Sequence, residues 1–183
     1  ADVTTGDYNT SVGHEAGDGI TTGIDNTIMG YAAGGSGANN ASYNTFFGSN
    51  AGIYAEKGSN VYIGFRAGGL NKNGAYNVMI GDHAGYTAQG NQYRGSNNVF
   101  IGYTSGYNTG GVKNTFVGIA TGLYTTGSYN TFMGYAAGYG GPTSAPWSSG
   151  QYNTALGYDA LKGFTTGTSN TVVGYGAGAA ITT

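Results

Sequence analysis

Residues Asn130 to Gly138 read NTFMGYAAG and residues Asn44 to Gly52 read NTFFGSNAG; the same nine-residue phrase, Asn-Thr/Val-x-x-Gly-x-x-Ala-Gly, recurs ten times along the chain. Its copies open at Asn9, Asn26, Asn44, Asn60, Asn77, Asn98, Asn114, Asn130, Asn153 and Asn170, with successive starts 16 to 23 residues apart. A constant phrase with a variable remainder is what stacked coils produce, because the phrase must superpose on its neighbours while the connector is free to grow outward. Residues 1–183 therefore read as a single repeat domain.

Composition excludes the rival readings. The 38 glycines and the 8% of charged residues do not describe an ordinary globule, yet 17 tyrosines and 7 phenylalanines at phased positions do not describe a flexible linker. Collagen is excluded because glycine does not recur at every third residue and the chain has 2 prolines. Six scattered Lys and Arg residues and a net charge of −2 give no basic stripe for nucleic acid or for an anionic membrane surface. No apolar run approaches the ~18 residues a membrane helix needs, so membrane insertion is not expected. Cysteine is absent, which removes thiol chemistry and thiolate metal sites. The Tyr, Thr, Asn and Gly bias suits an extracellular or cell-surface protein whose signal peptide has been removed ahead of Ala1.

Numbering the phrase 1 to 9 from its Asn separates its parts. Position 2 is Thr or Val, and position 4 is Val, Met, Phe, Ile or Leu, in all ten copies. The two share one side of an extended strand, so they are expected to form its buried face. Position 5 is Gly throughout, position 9 is Gly except at Leu161, and position 8 is Ala except at Ser105 and Thr121. These small residues mark bends, or places where another backbone passes too close for a Cβ. The phrase predicts a strand, a tight bend and a second short strand. About ten such coils of 16 to 23 residues, pairing in parallel and in register, make an all-β β-solenoid or parallel β-roll. At ~4.8 Å per coil the rod would be roughly 50 Å long.

Asn at position 1 in every copy, from Asn9 to Asn170, is expected to form a hydrogen-bonded ladder along the axis. Position 3 points opposite to positions 2 and 4 and is mostly large: Ile28, Phe46, Tyr62, Met79, Phe100, Phe116 and Phe132. An apolar stripe of that size must be covered, either by the rest of the coil or by another chain, and it is the candidate assembly stripe.

The phrase resembles the NTxxGxxAG-type repeats of bacterial and phage tail-fibre-like proteins, through residues such as Asn114, Thr115, Val117, Gly118 and Gly122. More distantly it is similar to the NSVAIGxxA repeats in the β-roll heads of trimeric autotransporter adhesins similar to YadA. In those heads three chains pack around one axis, which implies a trimer supported by the position-3 stripe. The longer coils, the many tyrosines and the lack of a neck, stalk or anchor within residues 1–183 depart from that pattern.

The chain opens on the later half of a repeat and closes partway through one, which is expected to favour head-to-tail polymerisation of copies. The connectors form a variable edge, and the two long ones, from Tyr86 to Asn97 and from Tyr139 to Tyr152, carry Tyr86, Arg94, Tyr139, Trp147 and Tyr152. Aromatic side chains there are candidates for stacking on carbohydrate. Asn40 stands in an Asn-x-Ser acceptor pattern, and Thr21, Thr125 and Thr165 head Thr-Thr-Gly or similar connectors that could carry O-linked sugar. His14 beside Glu15 and His83 beside Asp82 lie four coils apart, ~19 Å along the axis, too far to share a metal, and read as solvated turn residues. No catalytic constellation and no cofactor motif is present, so an enzyme is not expected. The expected role is a non-enzymatic structural subunit of an extracellular fibre, assembling with copies of itself through its ends or its apolar stripe. An adhesin or tail-fibre segment binding a glycan or receptor is the alternative. Ice binding is a third, disfavoured if the position-2 threonines turn inward with the aliphatic residues.

Overall fold

The computed structural model describes residues 5–35, 40–87, 95–141 and 147–183. It is a β-solenoid with ten three-residue strands: β1 (Thr10–Val12), β2 (Thr27–Met29), β3 (Thr45–Phe47), β4 (Val61–Ile63), β5 (Val78–Ile80), β6 (Val99–Ile101), β7 (Thr115–Val117), β8 (Thr131–Met133), β9 (Thr154–Leu156) and β10 (Thr171–Val173). They form one sheet in chain order, each strand parallel to the next and in exact phrase register, so that Phe100 pairs with Phe116 and Phe116 with Phe132. Arg94 lies outside the described residues.

Each strand stops after three residues because left-handed backbone bounds it. The residue before the Asn sits near φ +60°, as at Tyr43 (63°) and Tyr129 (61°), and the position-5 glycine lies between 128° and 138°. Beyond that bend, position 7 is again left-handed, at Ala32 (50°), Arg66 (54°) and Ala136 (50°), and so is the position-9 glycine, at Gly52 (59°). Among the described residues the expected second strand is therefore absent, and a run of tight turns takes its place. In these turns the Ala51 N–H donates to the Gly48 carbonyl and the Ala55 N–H to the Gly52 carbonyl, at 3.2 and 2.9 Å. The turns still stack coil on coil, since the Gly52 N–H donates to Ala67 and the Gly68 N–H to Ala84, both at 2.9 Å. Left-handed backbone at a side-chain-bearing residue costs roughly 1–2 kcal/mol, and the cost is borne because these inter-coil bonds fix every turn at the same shape.

The sides of the strand are the reverse of the expectation. Position 3 points inward: Ile28, Phe46, Tyr62, Met79, Phe100, Phe116 and Phe132 are all buried within one continuous core. Positions 2 and 4 face outward. A strand of three residues has one inward and two outward side chains, and a coil closed by such tight turns has room for a single large side chain in its interior. The stripe is thus covered by its own coil, and another chain, including the partners of a trimer, has no access to it.

Inside, the rings stack along the axis at about the strand spacing. Phe100 lies 5.0 Å from Phe116, Phe116 5.0 Å from Phe132, and Phe46 5.1 Å from Tyr62. Tyr62 brings a hydroxyl into this core, where Asn71 Nδ2 donates to it at 2.7 Å, and burial pushes the phenol well above its ordinary pKa. Across the coil, the small residues of position 8 (Ala33, Ala51, Ala67, Ala84, Ser105, Thr121, Ala137, Ala160) close the far wall.

Position 9 must be glycine where position 3 is a ring. A Cβ on Gly52 would come within 2.8 Å of the Phe46 ring, and one on Gly138 within 2.2 Å of Phe132. In the ninth coil the residue at position 3 is the small Ala155, and there position 9 is Leu161, buried and left-handed at φ 53°. Leu161 and Phe164, whose ring meets Phe132 edge-on at 5.6 Å, fill the space that a ring takes elsewhere. Leu161→Gly is expected to cost about 2 kcal/mol through the cavity it leaves, net of relieved backbone strain. Ala155→Phe alone is expected to be destabilised by collision with Leu161, and the double variant to recover most of both losses. A thermal-denaturation double-mutant cycle reads this coupling, and additive losses would show that the two positions do not share one space.

Candidate functional site

The asparagine column is the most ordered polar feature of the rod. Each Asn Oδ1 accepts the backbone N–H of the next Asn, as from Asn114 to Asn98 and from Asn130 to Asn114, both at 2.8 Å. Along most of the column Nδ2 donates to a carbonyl three residues ahead of the next Asn: Asn98 to Gly111, Asn114 to Gly127 and Asn130 to Gly150, at 3.1, 3.0 and 3.0 Å. From Asn26 to Asn153 these side chains are buried. The ladder expected of Asn9, Asn26, Asn44, Asn60, Asn77, Asn98, Asn114, Asn130, Asn153 and Asn170 is present and spends the amides on holding coils together. The ladder docks against a glycine column three residues before each following Asn, at Gly111, Gly127, Gly150 and Gly167, which the sequence carries in its connectors. A Cβ on Gly127 would stand 1.9 Å from the Gly150 carbonyl oxygen.

The outer face of the sheet is a continuous strip of exposed or half-buried side chains along the rod. Its position-4 row includes Val12, Met29, Phe47, Ile101, Met133, Leu156 and Val173 among the exposed large apolar side chains. Beside it runs position 2, threonine at both ends and Val61, Val78 and Val99 in the middle. None of these position-2 and position-4 residues is charged. The threonines are on the outside, exposed at Thr27, Thr131 and Thr154, which removes the reason for setting ice binding aside. Past the glycine bend a third exposed row follows at position 6, with Tyr135, Tyr158 and Tyr175 stacked at 4.8 and 5.2 Å and 13° between planes. These tyrosines spend their ring faces on one another, so a sugar would meet edges and hydroxyls rather than an open platform.

The edge residues do not form one site. Tyr86 lines a groove of about 290 Å³ with Asn50, Ile53, Tyr54, Arg66 and Leu70. The Arg66 guanidinium lies 5.1 Å from the Phe65 ring centre and 5.8 Å from that of Tyr86. Tyr139 and Trp147 instead gather around Tyr124, at 5.4 and 6.4 Å. Tyr152 belongs to the column before the Asn, stacked on Tyr129 at 5.0 Å. Part of the second long connector is wall rather than edge, because Ser148 bridges to Thr125 and the Gly150 carbonyl accepts Asn130.

His14 is exposed, stacked on Tyr31 at 5.6 Å. His83 is not a simple solvated residue. It is half-buried among Phe65, Tyr86 and Tyr107, with Nδ1 against the Asp82 carboxylate. Among the described residues no three His, Cys, Asp or Glu side chains group as a metal site, and no helix is long and apolar enough to cross a membrane.

Of the candidate glycosylation positions, Asn40 is exposed, its Oδ1 accepting the Thr21 hydroxyl at 2.6 Å. Thr125 is buried, and its hydroxyl donates to the Gly138 carbonyl at 3.0 Å, so it cannot carry a sugar in the folded coil. Thr165 is half-buried and donates to the Thr182 carbonyl.

No protein-family model, curated protein or solved structure matches this chain significantly.

Proposed function

We propose that the chain is a non-enzymatic structural subunit of an extracellular fibre, assembling with copies of itself. The observation that supports this reading most is the use to which the repeated residues are put. Asn, Gly, Ala and the inward rings are consumed by coil-to-coil contacts, and the outer sheet face is left with uncharged apolar and threonine rows at positions 2 and 4. A coil offers the same ladder whether the next coil belongs to its own chain or to another copy, so the stack is inherently extensible. Light scattering of the full chain across a concentration series tests the reading. Mass rising with concentration, together with elongated particles by electron microscopy, is the expected result; a compact monomer at every concentration would overturn it.

The groove at Arg66 favours a second reading, a module that binds an acidic glycan or receptor segment, since a guanidinium held against Phe65 and Tyr86 suits a carboxylate-bearing partner. Its mark would be glycan binding by the wild-type chain that Arg66→Ala abolishes while assembly persists.

A further inference from the structure

The outer face has an internal symmetry that follows from no requirement of the coil. Read outward from β5, position 2 runs Val78, then Val61 and Val99, then Thr45 and Thr115, Thr27 and Thr131, and Thr10 and Thr154. It is the same in both directions for four coils. Position 4 follows: Ile80 at the centre, then Ile63 and Ile101, Phe47 and Val117, Met29 and Met133, and Val12 and Leu156. At these two positions the middle three coils are purely aliphatic and the flanks carry threonine. An apolar centre with a polar rim is the anatomy of a protein interface. A surface that reads alike in both directions suits a two-fold axis, where the same patch meets itself.

We infer that two copies of this chain pack face to face through the outer sheet surface, antiparallel, with the two-fold axis at Val78 and Ile80 of β5. This rests on the self-assembling reading above and names its lateral surface. Nine coils at ~4.8 Å give a strip ~43 Å long, and the three-residue strands make it ~10 Å wide. That is roughly 430 Å² per copy and about 860 Å² for a pair, the size of a weak, reversible interface. Positions 2 and 4 carry no charge, and the one carboxylate of the position-6 row, Asp82, lies on the axis coil and meets its own copy, so Asp82→Asn is expected to tighten the pairing. The pairing also covers an apolar strip at the upper end of what a monomer ordinarily leaves in water.

The full chain has no cysteine, so single cysteines report the geometry without background. Under mild oxidation Ile80→Cys is expected to cross-link to its own copy. Met29→Cys mixed with Met133→Cys should give mainly the mixed dimer, because those coils face each other across the axis. In sedimentation, Ile80→Lys should weaken pairing at least ~100-fold with the wild-type circular-dichroism spectrum retained. If Ile80→Lys does not fold, Ile80→Thr, a residue the face already uses, should weaken pairing about 10-fold. Absence of the Ile80→Cys cross-link, self-linked Met29→Cys dimers in place of mixed ones, or unchanged pairing in a folded Ile80 variant would overturn the inference. Wild-type filaments one rod wide would overturn it while leaving the fibre reading intact; a chain monomeric throughout would remove both. A monomer that shapes growing ice through this face would assign the surface to ordered water instead.

Discussion

Gly118→Ala is expected to lower stability by about 4 kcal/mol, or to prevent folding, although it adds one methyl group. Gly118 sits at φ 136°, where an L side chain is strained before any contact is considered. Its Cβ would lie 2.4 Å from the Gly134 carbonyl oxygen, 2.8 Å from the carbonyl carbon and 2.8 Å from Thr121 Oγ1. The first two are backbone atoms of the next coil and cannot swing aside. Relief requires the two coils to part, which breaks the bond from the Gly134 N–H to the Val117 carbonyl and those beside it. Gly110→Ala is the control, since nothing lies within 4 Å of its Cβ and its φ is not left-handed. It should change stability by no more than about 0.5 kcal/mol. Chemical denaturation of both variants reads the difference, and equal effects would show that the coils are not held at this spacing.

Asn114→Ala is expected to cost about 3 kcal/mol. It leaves two buried groups without their partners: the Asn130 N–H, which donates to Asn114 Oδ1 at 2.8 Å, and the Gly127 carbonyl, which accepts Asn114 Nδ2 at 3.0 Å. Asn114→Asp separates charge from shape. A protonated carboxyl can accept from the Asn130 N–H and donate to the Gly127 carbonyl, as the amide does. The carboxylate cannot donate, and it is buried facing that carbonyl, so the folded state raises this aspartic acid's pKa above its unfolded value of about 3.9. Stability lent by the protonated form is then fully present below the unfolded pKa and lost as pH rises through the folded one. Asn114→Asp should therefore match the wild type more closely at pH ~3 than at pH ~7. The opposite order in denaturation at the two pH values would contradict the ladder.

The ladder and the glycine bends were legible because stacking in register puts one residue type on itself in every coil. The side of the strand that faces inward was not. Positions 2 and 4 outnumber position 3 and are themselves mostly β-branched or aliphatic, so counting apolar residues assigns the wrong face. The deciding contact is between position 9 and position 3, where Gly52 passes so close to Phe46 that a Cβ cannot fit. One clue lay in the sequence, for the single coil that breaks glycine at position 9, with Leu161, also has a small residue, Ala155, at position 3. The missing second strand was hidden for another reason. Ala32, Arg66 and Ala136 adopt left-handed backbone that their residue types do not announce, and inter-coil hydrogen bonds hold them there. With the faces reversed, the apolar row within reach of a partner is the outward one of Val, Ile, Met, Phe and Leu, not the inward stripe.

These findings converge on a thin rod that is repetitive inside and uncharged along one outer strip. The most direct test is diffraction from aligned assemblies of the wild-type chain, or the layer lines of their electron cryo-microscopy images. A strong repeat of ~4.8 Å along the fibre axis, from strands lying across it, is the predicted result. Assemblies whose ~4.8 Å spacing runs across the axis, or a chain that forms no elongated assembly, would contradict a fibre built from stacked coils.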